Sequence, residues 1–326
     1  MDALLIALRA VAEPTRLRIF ALCAEGELTV SDLTRILGQS QPRVSRHLKL
    51  LTEARVLDRT PEGSWVFYRL ARDSGSDDRV DKLLDLLPTD DETLALDRNR
   101  LADVKADRSR AAADYFRQNA TAWNSLRSLH VDEAEVESVI ARLFPKRGLG
   151  RLLDVGTGTG RVLELFAGRV ENAVGVDMSP EMLAVARENL SQAGITNCSV
   201  RQADMFQLPF SAGAFDVVTI HQVLHFVDAP ELAVAEAVRV LRPNGCLLLI
   251  DFAPHELETL RKDHQHRRLG FSEQEVRTWF NAVGLEEMET VHLTGDPLTV
   301  TVWLAGNTAY GSINQGSRQD NVAAKG

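Results

Sequence analysis

Three glycines at alternate positions, in Asp154-Val-Gly-Thr-Gly-Thr-Gly160, constrain this chain more than any other stretch. Leu152 and Leu153 lead into them and VLELFA follows, so the segment reads as a buried strand, a turn and a helix, with the loop at the strand's carboxyl end. Gly156, Gly158 and Gly160 let backbone approach a ligand closely, because no Cβ intrudes and positive φ is open to them. Twenty-three residues after Asp154, the run AVGVD ends at Asp177, which places a carboxylate to accept from ribose hydroxyls. Up to this point the features fit either a dinucleotide site or an S-adenosylmethionine (SAM) site. Glycine spacing separates the two, since the dinucleotide pattern G-x-G-x-x-G needs glycine at 161, where Arg161 stands.

The D-x-G-x-G-x-G loop, with VGVDMSPEMLAVAREN, QADMFQLPFSAGAFDVV and LRPNGCLLLIDF behind it, resembles the class I SAM-dependent methyltransferases of the type 11, UbiE-like kind, over residues 146 to 304. The resemblance implies an α/β, Rossmann-like seven-stranded sheet, completed by an antiparallel hairpin in VHLTGDPLTVTVWLA. Carried onto this sequence, it implies that Asp154, Gly156, Thr157, Gly158 and Gly160 cradle the methionine end of SAM or its product S-adenosylhomocysteine (SAH). Asp177 and Met178 would meet ribose and adenine, Asp204 and Met205 would flank adenine, and His221 would end the fourth strand facing the cleft. His221 and His225 are candidates to accept a proton, against a structural role for the histidine in QVLHFV, and Asp228 is a weaker candidate. Methyl transfer is an in-line displacement in which orientation alone carries much of the rate, so no catalytic group is required by the chemistry. Arsenite methylation would need a set of thiol ligands, and Cys23, Cys198 and Cys246 are scattered, without CxxC spacing.

The first quarter of the chain reads differently. Pro14 opens PTRLRIFALCAE, with Leu17, Phe20, Ala21 and Ala24 at helical spacing. TVSDLTRILG begins with a Thr29/Ser31/Asp32 capping cluster, keeps Leu33, Ile36 and Leu37 on one face, and stops at Gly38. The next helix starts at Ser40, turns Val44, Leu48 and Leu51 inward, and presents Gln41, Arg43, Ser45, Arg46, His47 and Lys49, groups suited to base edges and phosphates. VLDRTPEGSWVFYRL reads as a hairpin around Thr60 to Gly63, with Arg59 and Ser64 on it. Residues 3 to 72 together resemble the ArsR family of winged helix-turn-helix repressors, α+β domains that bind double-stranded operator DNA as homodimers. Many members sense metal through a Cys-x-Cys pair, for which this chain has Thr29 and Ser31. A second family site uses Asp and His ligands on a later helix, and residues 78 to 129 contain no histidine. No metal is therefore expected. A winged helix serving only protein contact is the alternative, and Arg43, Arg46 and Lys49 are the residues that decide.

Charge supports the DNA reading once it is counted locally. The whole chain carries −9, yet residues 39 to 72 hold seven Lys/Arg against three Asp/Glu. No apolar run of about 18 residues exists and the N-terminus carries Arg9 and Glu13, so the expectation is a cytoplasmic protein that meets no membrane. The organisation expected is a winged helix over 1–76, a helical dimerisation and connector region over 77–145, a SAM-binding domain over 146–306 and a disordered tail over 307–326. The connector should form two or three helices. Within it, Asp90 to Ser128 reads as a charged arm that closes on Tyr115, Phe116 and Trp123, rings placed either near the cofactor or as glue to the next core. Two functions follow as expectations. One is a DNA-binding transcriptional regulator that takes SAM or SAH as effector, with genes of methionine and SAM metabolism as targets. The other is an active SAM-dependent methyltransferase on a small molecule, whose winged helix regulates its own operon.

Overall fold

A computed structural model describes residues 2–71, 79–120, 133–144 and 148–306. Trp123 and the tail beyond 306 lie outside the described residues. The chain divides into two compact units, residues 1–111 and 112–326.

The first unit runs through α1 (Asp2–Val11), α2 (Pro14–Ala24), β1 (Leu28–Thr29), α3 (Val30–Leu37), α4 (Gln41–Glu53), β2 (Leu57–Glu62), β3 (Trp65–Leu70), α5 (Arg79–Asp85) and most of α6 (Glu92–Asn119). Each boundary has a local cause. Glu13 caps α2 by accepting from the Arg16 amide at 2.9 Å. Thr29 and Asp32 form a reciprocal capping box at the start of α3. Ile19, Phe20, Leu33, Ile36, Val44, Leu48, Leu51 and Val56 are fully buried and bind the three helices to a small sheet of order β1-β3-β2. The hairpin turn falls two residues later than its expected place. Glu62 pairs with Trp65, and Gly63 turns with φ +55°, so Pro61 lies inside β2 opposite Val66. An edge strand tolerates proline because its missing N–H is not needed by a further neighbour.

The charged arm has specific partners. On α6, Asp97 is 1 % exposed and takes both Nε and Nη2 of Arg18 on α2, at 2.6 and 2.7 Å. One to three turns on, Arg100 donates to the Ile36 carbonyl at 3.2 Å and Lys105 to the Glu25 carbonyl at 3.0 Å. Asp107 pairs with Arg35 and Arg108 with Asp32, both on α3. The arm is thus bolted to the carbonyl ends of α2 and α3, where cations are favoured, as well as to their side chains.

The second unit continues with α7 (Glu133–Leu143), β4 (Arg151–Val155), α8 (Arg161–Phe166), β5 (Asn172–Asp177), α9 (Pro180–Gln192), β6 (Cys198–Gln202) and β7 (Phe215–His221). It closes with α10 (Pro230–Val240), β8 (Leu241–Phe252), α11 (Glu258–His264), α12 (Glu273–Ala282), β9 (Glu286–Thr294) and β10 (Thr299–Gly306). The strands form one seven-stranded sheet of order β6-β5-β4-β7-β8-β10-β9, with β10 antiparallel to both neighbours. Strand pleating sends Leu152 to one core, with Leu163, Phe166 and Ile140, and Leu153 and Val155 to the other, with Ile220, Phe280 and Trp303. The chain leaves β4 toward β5 and β6, then returns to add β7 on the other side. That reversal places a crevice at the carboxyl ends of β4 and β7.

Candidate functional site

The glycine loop follows β4 at this crevice. The amides of Gly156 and Thr157 both donate to the Val176 carbonyl on β5, at 2.8 and 2.9 Å, which folds the loop back over the sheet. Gly156 has φ +72°, and a Cβ there would sit 2.7 to 2.9 Å from three atoms of Val223. The turn after β7 therefore lies against the loop and fixes glycine at 156. A Cβ on Gly160 would come within 3.2 Å of the Ala186 Cβ, so the loop also packs closely on α9.

Asp177 ends β5 beside the loop. Its Oδ2 accepts from the Gly158 amide and its Oδ1 from the Ser179 amide, each at 2.9 Å. Burial pushes its carboxyl above the ordinary carboxylate range, opposed by the amides of Ser179, Gly158 and Met178. A carboxylate has roughly four acceptor positions, so two remain for hydroxyl donors. Met178 is 57 % exposed beside it and Phe206 is likewise exposed. Asp204, also exposed, accepts from the Phe206 amide at 2.9 Å, and Met205 is half-buried against the second core.

Two expected ligand groups turn elsewhere. The Thr157 side chain points down at Gly175 on β5, where a Cβ would meet its Oγ1 at 2.5 Å, which leaves only its backbone at the loop. Asp154 is buried within the sheet and accepts from Thr219 Oγ1 at 2.6 Å. A short carboxylate in a strand interior reaches the hydroxyl of the adjacent strand more readily than it reaches over the strand end.

His221 ends β7, half-buried, and Gln222 follows with φ +53°. His225, in the single helical turn Leu224–Phe226, is buried, and its Nδ1 lies 2.7 Å from Asp251 Oδ1 on β8. Asp228 pairs with Arg267 at 2.7 Å. Tyr115 hydrogen-bonds His264 at 2.7 Å, and Phe116 meets the Phe226 ring edge-on at 4.8 Å. These two rings thus dock on α11 and on the turn after β7. Asp251 was not among the expected residues. Its signal is an acid inside the apolar run LLLIDF, which a buried strand carries only when a partner waits.

In the first unit, Ser40, Gln41, Arg43, Arg46 and Lys49 are exposed on α4, while Ser45 is half-buried. Arg59 and Ser64 are exposed on the hairpin. His47 departs from the expected face. Its side chain is 12 % exposed, with Nδ1 3.5 Å from Glu13. Burial, with the cations Arg16, Arg43 and Arg46, holds its pKa below the usual imidazole range against the pull of Glu13. Thr29, at one of the family's thiolate positions, spends its side chain on the cap of α3.

The sheet order, the reversal at β4 and the glycine loop define the class I methyltransferase fold, and the three helices with their hairpin define a winged helix-turn-helix. Residues 13–59 match the model for bacterial regulatory proteins of the arsR family, and residues 153–249 match a methyltransferase-domain model. The chain is therefore an ArsR-family helix-turn-helix domain fused to a methyltransferase domain. Methyltransferase YcgJ of Bacillus subtilis is 29 % identical over 182 residues, 53 % of this chain and 71 % of that protein. The ubiquinone/menaquinone biosynthesis C-methyltransferase UbiE of Erwinia tasmaniensis is 35 % identical over 167 residues, 49 % of this chain and 65 % of that protein. The chain thus spans about two thirds of the length of these relatives. A Haloferax volcanii chain, from a complex with the Trm112 methyltransferase activator, aligns with TM-score 0.51 and 20 % identity, over 60 % of this chain and 98 % of that one. No helix among the described residues is long and apolar enough to cross a membrane.

Proposed function

We propose that this chain is a DNA-binding transcriptional regulator, acting as a homodimer on operator DNA, whose second domain binds SAM or SAH as effector. The observation that carries the ligand half is the Asp177 carboxylate, fixed by the Gly158 and Ser179 amides beside the glycine loop. That arrangement suits a ribose with two hydroxyl donors, and the close backbone at Gly156 suits the methionine end. Bound SAM supplies an electrophilic methyl group on sulfonium. The DNA half rests on α4, which exposes Arg43, Arg46 and Lys49 while burying Val44, Leu48 and Leu51. Genes of methionine and SAM metabolism are the natural targets for an effector of this chemistry.

By linkage, SAM alters DNA affinity only as far as its own affinity differs between the two states, typically about 5- to 150-fold. The test is titration of SAM and of SAH against binding of the full chain to the DNA upstream of its own gene, repeated with Asp177→Ala. A shift in the wild type that the variant abolishes supports the regulator. An unchanged isotherm with both ligands, under conditions where calorimetry shows them bound, overturns the effector role. A second reading, transfer of the methyl group to a small molecule, is favoured by the pairing of His225 with Asp251.

A further inference from the structure

We infer that His225 is a general base for methyl transfer, held in one tautomer by Asp251, and that the acceptor presents a neutral hydroxyl on an apolar or aromatic body. The inference rests on the methyltransferase reading. Asp251 is fully buried, and its Oδ1 accepts both from His225 Nδ1 at 2.7 Å and from the Phe252 amide at 2.8 Å. A carboxylate can only accept, so the proton of the ring sits on Nδ1 and the lone pair on Nε2. No group among the described residues bonds to that Nε2. The backbone holds the ring's position as well, because the His225 carbonyl accepts from the amides of Arg267 and Arg268 at 2.7 and 3.0 Å.

A residue kept for packing alone accounts poorly for this pair. Asp251 Oδ2 is buried with no hydrogen bond among the described residues, a costly arrangement that an apolar pair would avoid. The location suits chemistry. Val223, two residues earlier, lies on Gly156 of the glycine loop. The ring is walled by Phe226 at 4.2 Å, His266 at 4.1 Å and Phe252 at 5.1 Å, and Phe226 in turn carries Phe116. Those walls favour an apolar acceptor body. In the step itself, the acceptor oxygen forms its bond to the methyl carbon as the carbon–sulfur bond breaks with its electron pair on sulfur. The hydroxyl proton passes to Nε2, and the imidazolium is stabilised by Asp251 until solvent takes the proton. Asp251 is the positioning residue, which acts on the reaction only through His225.

Two measurements on the full chain test this. Nitrogen-15 chemical shifts of the histidine rings should show the His225 proton on Nδ1 and a bare Nε2 in the wild type. A His225 proton on Nε2 overturns the inference. Tritium-labelled SAM is then offered with phenol or with thiophenol at about pH 8, where the thiol is already largely thiolate and needs no base. With His225→Gln, phenol transfer should fall about 10²- to 10⁴-fold and thiophenol transfer less than about tenfold, at unchanged SAM affinity by calorimetry. Equal losses with both acceptors, or no loss with either, overturn the base. A wild type that binds SAM yet methylates neither probe refutes the methyltransferase reading, and the base with it.

Discussion

Replacing Gly156 with alanine tests whether the turn after β7 rests on the glycine loop. The backbone there has φ +72°, which costs an L-residue about 1–2 kcal/mol. The new methyl would also sit 2.7 to 2.9 Å from Val223 Cγ2, Cβ and Cγ1 at once. Because all three atoms of a stiff β-branched side chain crowd the same point, no rotamer frees the space, and overpacking adds about 1–3 kcal/mol. The sum, about 2–5 kcal/mol, is a large part of the roughly 5–15 kcal/mol that holds a domain. Val223→Ala deletes two of the three crowding atoms. In the wild type that truncation should destabilise by about 1 kcal/mol through poorer packing, whereas in Gly156→Ala it should stabilise by a similar amount. Urea melts followed by tryptophan fluorescence measure all four corners of the cycle, and calorimetry with SAM gives the parallel weakening of binding. The same sign for Val223→Ala in both backgrounds would refute this packing and, with it, the placement of residues 221–226 over the loop.

Arg46→Ala combined with Lys49→Ala should lower the salt dependence of binding to double-stranded DNA by about one unit of log–log slope for each phosphate no longer neutralised, and an unchanged slope would remove α4 from the interface. Asp177→Ala should weaken SAM binding at least about tenfold by calorimetry, since the acceptors it removes are charged. His47 has a folded pKa below its unfolded value, so the unfolded chain binds the extra proton. Stability of the first unit should therefore fall as pH drops through the ordinary imidazole range near 6.5, and His47→Gln should flatten that decline in urea midpoints measured across it. Asp97→Ala leaves the half-buried Arg18 guanidinium without its two bonds and should cost about 2–4 kcal/mol, seen as a lower midpoint for the first unit.

Much of this was legible because it is local. The capping box at Thr29 and Asp32, the glycine stop at Gly38 and the loop Gly156-x-Gly158-x-Gly160 each state their geometry within a few residues. The spacing of His47 points it inward although its polarity points to solvent. It stands three residues after Val44 and four before Leu51, both buried, so a helical turn carries it toward the core. The ring lies half under the helix surface, with Nδ1 3.5 Å from Glu13. The hairpin turn moved because Thr-Pro-Glu-Gly looks like a turn in isolation, while the register of β2 on β3 admits proline at an edge.

What stayed hidden are the pairs whose members are far apart in sequence. Charges on the arm were visible, but Asp97 with Arg18 and Asp107 with Arg35 lie 79 and 72 residues apart, and nothing in a charge pattern names such partners. Asp251 is the informative case. An acid in the run LLLIDF cannot face the interior of a sheet alone, so the sequence demands a partner without saying which. Of the two histidines offered for proton transfer, His221 stands at the strand end where a cleft residue is expected. His225 looked like packing until β8 brought the carboxylate to its Nδ1. The demand is readable at one residue and its answer at another, 26 positions earlier, and the turn that follows β7 beside β8 joins them.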